Sequence, residues 1–120
     1  MVTFTPMEPL KTTAQFAEVY EHGKAYGSKN LVLYVLNSEK NREEGRLGIS
    51  VSKKVGNSVV RHRIRRLIKE SFRLHKSEWA IRDYIVIARK EAAGKSFREI
   101  EDTLLLLGKK SNSFGKGENL

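Results

Sequence analysis

The sequence predicts an α+β domain, a two-layer sandwich in which helices pack on a small sheet. Three observations carry this. Capping signals and helical periodicity mark three segments, and β-rich or alternating apolar runs lie between them. At 120 residues and 39% hydrophobic content, the chain is long enough for one modest core. The resulting order is helix, strand region, helix, strand, helix, the pattern of helices gathered on a sheet.

The elements follow in order. Thr12-Thr13-Ala14-Gln15 reads as a capping box opening a helix to about Glu21, with Gly23 placed to end it. Phe16, Val19 and Tyr20 share one face of that helix. Leu31 to Leu36 is an unbroken apolar run and reads as a strand covered on at least one side; Asn37 to Gly45 is polar and charged, a turn or loop. Leu47, Ile49 and Val51 alternate with Gly48, Ser50 and Ser52, which predicts a half-buried strand whose open face carries only small groups. The two runs are expected to pair as a hairpin.

Val55-Gly56-Asn57-Ser58 then breaks the pattern, and Asn57 or Ser58 is placed to cap a helix to about Leu74. Val60, Ile64, Leu67, Ile68 and Leu74 gather on one side of it, with Ser71 among them. Tyr84 to Ala88 reads as a central strand. Ser96-Phe97-Arg98-Glu99 is a second capping box, and Phe97, Ile100, Leu104 and Leu107 mark the buried stripe of the last helix. The expected domain spans 10–108, between a flexible segment at 1–9 and a basic, disordered tail at 109–120, where glycine and lysine are frequent and apolar residues few.

The net charge is +9, and nearly all of it sits between Lys53 and Lys76. That stretch holds Lys53, Lys54, Arg61, Arg63, Arg65, Arg66, Lys69, Arg73 and Lys76 against one acid, Glu70. The plain reading is a solvated helix face, but two features oppose it. Four arginines crowd a helix N-terminus, where the dipole favours acids. Arg61 and Arg65 also repel at i,i+4, a cost of about 0.2–0.5 kcal/mol. Arginine in place of lysine favours bidentate phosphate recognition, so the expected partner is a nucleic acid.

The aromatics leave two readings open. By periodicity alone Phe16 and Tyr20 are core residues. Alternatively, with Val32 and Tyr34 on the neighbouring strand face and Gly48, Ser50 and Ser52 beside them, they line a shallow trough for an unpaired strand.

A search for catalytic groups returns little. The chain has no cysteine, which removes thiol nucleophiles, disulfides and Cys-ligated metals. His22, His62 and His75 lack metal-ligand spacing, and the acids form no two-metal motif. The longest apolar run, Leu31 to Leu36, is too short to cross a bilayer, and the first ten residues do not read as a secretory signal. The expectation is a cytoplasmic protein with no membrane partner.

The stretch from Ser50 to Glu70, with Lys53-Lys54, Gly56-Asn57 and Arg61-His62-Arg63 continuing through Arg65, Arg66 and Lys69, resembles the signature of the bacterial ribonuclease P protein component. His62 departs from the family's asparagine. The resemblance runs from about Leu10 to Lys110 and includes the Phe16/Tyr20 pair, the Leu31–Leu36 strand and the Asp83-Tyr-Ile-Val-Ile-Ala-Arg89 strand. It implies a four-stranded sheet with three helices and a left-handed β-α-β crossover, against the usual hand. It also implies an accessory subunit of an enzyme that matures the 5′ end of precursor tRNA. By the same resemblance no catalytic residue is expected in this chain, the catalytic Mg2+ is expected to be held mainly by the RNA subunit, and no protein partner is expected to be required.

By the resemblance, Lys53, Lys54, Asn57, Arg61, His62, Arg63, Arg65, Arg66, Lys69 and Arg73 contact the catalytic RNA. Phe16, Tyr20, Val32, Tyr34, Ser50 and Ser52 line the cleft for the single-stranded 5′ leader, which turns the balance away from plain core for the aromatics. The competing readings are a ribosome-associated RNA-binding protein or RNA chaperone, a major-groove DNA binder, and an autonomous metal nuclease. The DNA reading is weakest, because the arginines surround more than half the helix instead of forming one reading edge.

Overall fold

The computed structural model describes residues 8–37 and 45–114. A two-residue strand, β1 (Glu8–Pro9), precedes α1 (Thr13–His22); β2 (Lys24–Gly27), β3 (Leu31–Asn37) and β4 (Arg46–Val51) follow. Next come α2 (Ser58–Leu74), a 3-10 turn (Lys76–Glu78), β5 (Arg82–Ala88), a second 3-10 turn (Lys90–Ala92) and α3 (Phe97–Lys110). The architecture is α+β, with three helices on one mixed sheet.

The helix ends follow from their caps. Thr12 and Gln15 close a capping box on α1, and Ser96 and Glu99 close one on α3. Asn57 Oδ1 accepts the Val60 N–H at 3.0 Å and starts α2. Gly23 ends α1 because nothing larger fits: a Cβ there would lie 2.6 Å from the Val19 carbonyl oxygen and 2.8 Å from that of Val35.

The sheet order is β1-β4-β5-β3-β2. The expected hairpin between the Leu31–Leu36 and Leu47–Val51 runs does not form. β5 lies between them, antiparallel to β3 and parallel to β4. The reason is burial: Tyr84, Ile85 and Val86 are inaccessible to solvent, and a strand apolar on both faces takes the central position. β4 then reaches its parallel neighbour through α2. The sheet has five strands where four are expected, the extra one being the short edge pair β1.

Strand register separates two faces. Leu31, Leu33, Val35, Tyr84, Val86, Ala88, Leu47 and Val51 form one face, and α2 and α3 cover it with Ile64, Ile68, Phe72, Ile100, Leu104 and Leu107. Ile64, Ile68 and Phe72 are four residues apart and form the contact stripe. Leu74, expected in that stripe, lies off it and is exposed. On the opposite face Ile85 packs with Leu10 and Val19, flanked by Phe16, Tyr34, Leu36 and Ile87. At one end of this face the half-buried Arg46 and the buried Asp83 form a two-pronged pair at 3.0 and 2.7 Å.

The expected boundary at residue 108 is overturned. Gly108 lies against the indole of Trp79, Ser111 and Ser113 are buried, and Phe114 forms an isolated bridge with Trp79. Ala80 N–H donates to the Ser113 carbonyl at 2.7 Å, and Arg82 donates to Ser111, Asn112 and Ser113. Short polar residues that read as a tail here make a tight turn over a large aromatic side chain. At the other end, Glu8 and Pro9 pair with β4 instead of lying free. Residues 1–7, the 38–44 part of the polar loop, and 115–120 lie outside the described residues.

Candidate nucleic-acid interface

The first surface is the outer side of α2. Its buried stripe fixes the helix rotation, so His62 and the cations at 61, 63, 65, 66, 69 and 73 project around the remaining circumference. They divide by hydrogen bonding. Arg61 Nε donates to the Gly56 carbonyl at 3.1 Å, Arg63 Nη1 to the Lys95 carbonyl at 2.9 Å, and Arg65 Nη1 to the Ile49 carbonyl at 3.2 Å. Each is half-buried and tied by one N–H, leaving other donors for a ligand. Arg73 pairs with Glu70, the single acid of the stretch, and that pairing holds the Glu70 carboxyl below its ordinary range.

His62, Arg66 and Lys69 are exposed. His62, Arg65, Arg66, Lys69, Glu70 and Arg73 line an open groove of about 350 Å³ along the helix. Lys53 and Lys54 are exposed on the turn before α2. Asn57, expected to contact RNA, has its carbonyl oxygen committed to the cap.

The second surface is the sheet face opposite the main core. Register aligns Tyr34, Ile85 and Gly48 in one row and Val32, Ile87 and Ser50 in the next. Each row crosses three strands, roughly 10 Å. α1 lies over one end. The Tyr20 ring meets Tyr34 edge-on at 5.0 Å, and Phe16 lies 6.5 Å from Tyr20. Burial raises the Tyr20 phenol above its ordinary value, opposed by the Ser50 hydroxyl beside it and reinforced by Tyr34.

Phe16, Tyr20, Tyr34 and Ser50 are thus brought together, with Val32 one register step away. Ser52 is not part of this cluster. It lies past the end of β4, in the turn, where its hydroxyl accepts the Lys54 N–H at 3.3 Å.

Between the two surfaces lies a feature that sequence reasoning missed. Pro9, Leu10, Phe16, Leu47, Gly48, Ile49, Arg65, Lys69 and Phe72 line a groove of about 380 Å³. Among the described residues β1 pairs with β4 only at Arg46 and Leu47, and the groove opens along the β4 edge beyond them. The groove joins the aromatic cluster, through Phe16, to the basic helix, through Arg65 and Lys69. No local sequence signal carries it, since it depends on strand order.

Among the described residues no three His, Asp or Glu side chains are placed to hold one metal ion. No helix among them is long and apolar enough to cross a membrane.

A family model described as Ribonuclease P matches residues 4–111. The "Ribonuclease P protein component" of Lachnoclostridium phytofermentans is 50% identical over 103 residues, covering 85% of this chain and 87% of the relative. The Staphylococcus aureus RNase P protein structure superposes with a TM-score of 0.82 at 39% identity, covering 88% of this chain and 96% of that one. The Thermotoga maritima RNase P protein gives 0.75 at 27% identity, covering 86% and 96%.

Proposed function

Because the chain belongs to the ribonuclease P protein family, as a protein subunit of that RNA-dependent endoribonuclease partnered with ribonuclease P RNA, we propose a division of labour between its two surfaces. The outer side of α2 and the Lys53-Lys54 turn lie on phosphates of the RNA subunit. The aromatic face under α1 holds the single-stranded 5′ leader of precursor tRNA.

The observation that carries this reading is the groove at the β4 edge. It runs from Phe16 to Arg65 and Lys69, so an RNA strand leaving the aromatic cluster meets cations directly. Apolar rings beside small residues suit unpaired bases, and a basic border suits their backbone. Each stacked base contributes about 1–3 kcal/mol, and about 1.4 kcal/mol is tenfold in affinity. One or two stacked leader bases therefore account for a large preference for precursor over product.

The arginines of α2 act on the RNA subunit by replacing part of its counterion atmosphere. In this account Mg2+ and the bond-breaking step belong to the RNA, and the protein lowers the magnesium needed. The reading puts its work in the cytoplasm. The ribosome-associated alternative is not favoured, since the relatives compared are ribonuclease P protein components.

Reconstitution tests it. The protein, a bacterial ribonuclease P RNA and precursor tRNA are combined at low magnesium. Cleavage that requires both macromolecules is the expected result. RNA binding without stimulated cleavage contradicts the reading, and cleavage by the protein without RNA contradicts it from the other side.

A further inference from the structure

We infer that the groove at the start of α2, lined by Ser58, Val59, His62, Arg63 and Arg66, receives one unpaired nucleotide of the RNA partner, with its base against Val59. The inference rests on the reading of α2 as the RNA-binding face and adds to it a site and a ligand class.

Val59 is the most exposed large apolar side chain among the described residues, at 75%. It occupies the second position of a helix whose start Asn57 fixes, so its placement is not adjustable. It belongs to neither apolar cluster of the described residues. Valine is a mediocre helix former, and the first turn of a helix favours polar or acidic residues. Its neighbour Val60, by contrast, packs on the main core.

Val59, His62, Arg63 and Arg66 stand at i, i+3, i+4 and i+7, a single stripe along the helix. With Ser58 they enclose an open groove of about 520 Å³. No carboxylate lines it. Arg63 is held in place by its bond to the Lys95 carbonyl, and the Lys95 ammonium is drawn toward Glu99 at 3.9 Å. The site therefore has one apolar wall, one anchored guanidinium, and two exposed cationic or ionisable groups.

That chemistry selects the occupant. The outside of a paired RNA helix offers phosphate and ribose, which leave a valine unrewarded. An unpaired nucleotide offers a base face for the valine and for the guanidinium planes, and a phosphate for their N–H groups. A second copy of this chain is disfavoured by its +9 charge.

The test is equilibrium binding of full-length protein to transcribed ribonuclease P RNA over a range of salt concentrations. Val59→Ala and the shape-preserving Val59→Thr are compared with Arg66→Ala, and thermal unfolding confirms that each variant is folded. Both Val59 variants are expected to bind about three- to tenfold more weakly at every salt concentration, with the slope of log affinity against log salt unchanged. In 2′-hydroxyl acylation of the RNA, one unpaired nucleotide is protected by wild type and released with Val59→Ala. Wild-type affinity in both Val59 variants overturns the inference, as does a loss that changes the slope. If Arg66→Ala also binds with wild-type affinity and slope, what fails is the assignment of α2 to RNA.

Discussion

The Phe16 ring occupies the space that a side chain at position 48 would need: a Cβ built on Gly48 lies 2.6 Å from Phe16 Cε2 and 2.7 Å from Cζ. The glycine is what lets a ring from α1 settle onto β4, and it sets the depth of the proposed leader cleft. Gly48→Ala meets the far end of a half-buried side chain, which can swing outward. The expected result is a stability change within about 1 kcal/mol but weaker precursor tRNA binding by the holoenzyme. Chemical denaturation and binding titrations on the same variant check the two halves.

Gly108→Ala has the opposite signature. Its Cβ falls 2.7 Å from Cη2 of Trp79 and 2.8 Å from Cβ of Phe114. Trp79 is buried and stacked on Phe72 at 4.4 Å, so it has nowhere to go. Overpacking of this kind costs about 1–3 kcal/mol. Thermal unfolding is expected to show it, while RNA affinity below the transition stays at the wild-type value.

His75 links the end of α2 to α3. One ring nitrogen lies 3.2 Å from Glu78 and the other 2.8 Å from Glu101, and Phe114 meets the ring edge-on. Burial works against the charged ring, but the two carboxylates outweigh it and raise its pKa above the ordinary value of 6.5. The folded state therefore binds the proton more tightly than the unfolded state. Its contribution is fully present below that ordinary value and is lost as pH rises through the higher folded value. Urea midpoints, followed by Trp79 fluorescence, should fall across that window in wild type. His75→Gln should flatten the dependence.

Arg63 and Arg66 separate structural from electrostatic roles on one helix. Arg63 closes a hydrogen bond 32 residues away, at Lys95, whereas Arg66 is exposed. Arg63→Ala is expected to cost about 1 kcal/mol of stability, a drop of about 4 °C or more in Tm, along with RNA affinity. Arg66→Ala should leave Tm unchanged and lower the salt slope of RNA binding by about 0.7–0.9 if one phosphate contact is lost. Calorimetry and salt-dependent titration together decide this.

How much of this was legible beforehand follows from the range of the interactions. The helices announced themselves because Thr12 with Gln15, Asn57, and Ser96 with Glu99 are local signals that need no tertiary partner. β3 and β5 were visible as apolar runs. β2 was not, because Lys24, Ala25 and Gly27 are exposed and carry no apolar pattern. The strand order was hidden because β4 meets β5 only after the whole of α2, and nothing periodic announces a crossover. Trp79 gave no signal from its polar surroundings, although it holds the C-terminal turn in place.

In the proposed site, the aromatic and basic residues were readable one by one. The contact of Phe16 with Gly48 and the bond from Arg65 to Ile49 were not, since both depend on where β4 sits. Sequence spacing misplaced Ser52, because alternation extended a strand that ends at Val51.

The central claim is that the face formed by Phe16, Tyr20 and Tyr34 holds the leader, and Phe16→Ala tests it most directly. The ratio of holoenzyme affinities for leader-bearing precursor tRNA and for mature tRNA is measured in wild type and variant. The account predicts that the variant loses precursor affinity, by about tenfold for one stacked base, while mature tRNA binding is unchanged. Equal losses for both RNAs, or an unchanged ratio, would contradict it.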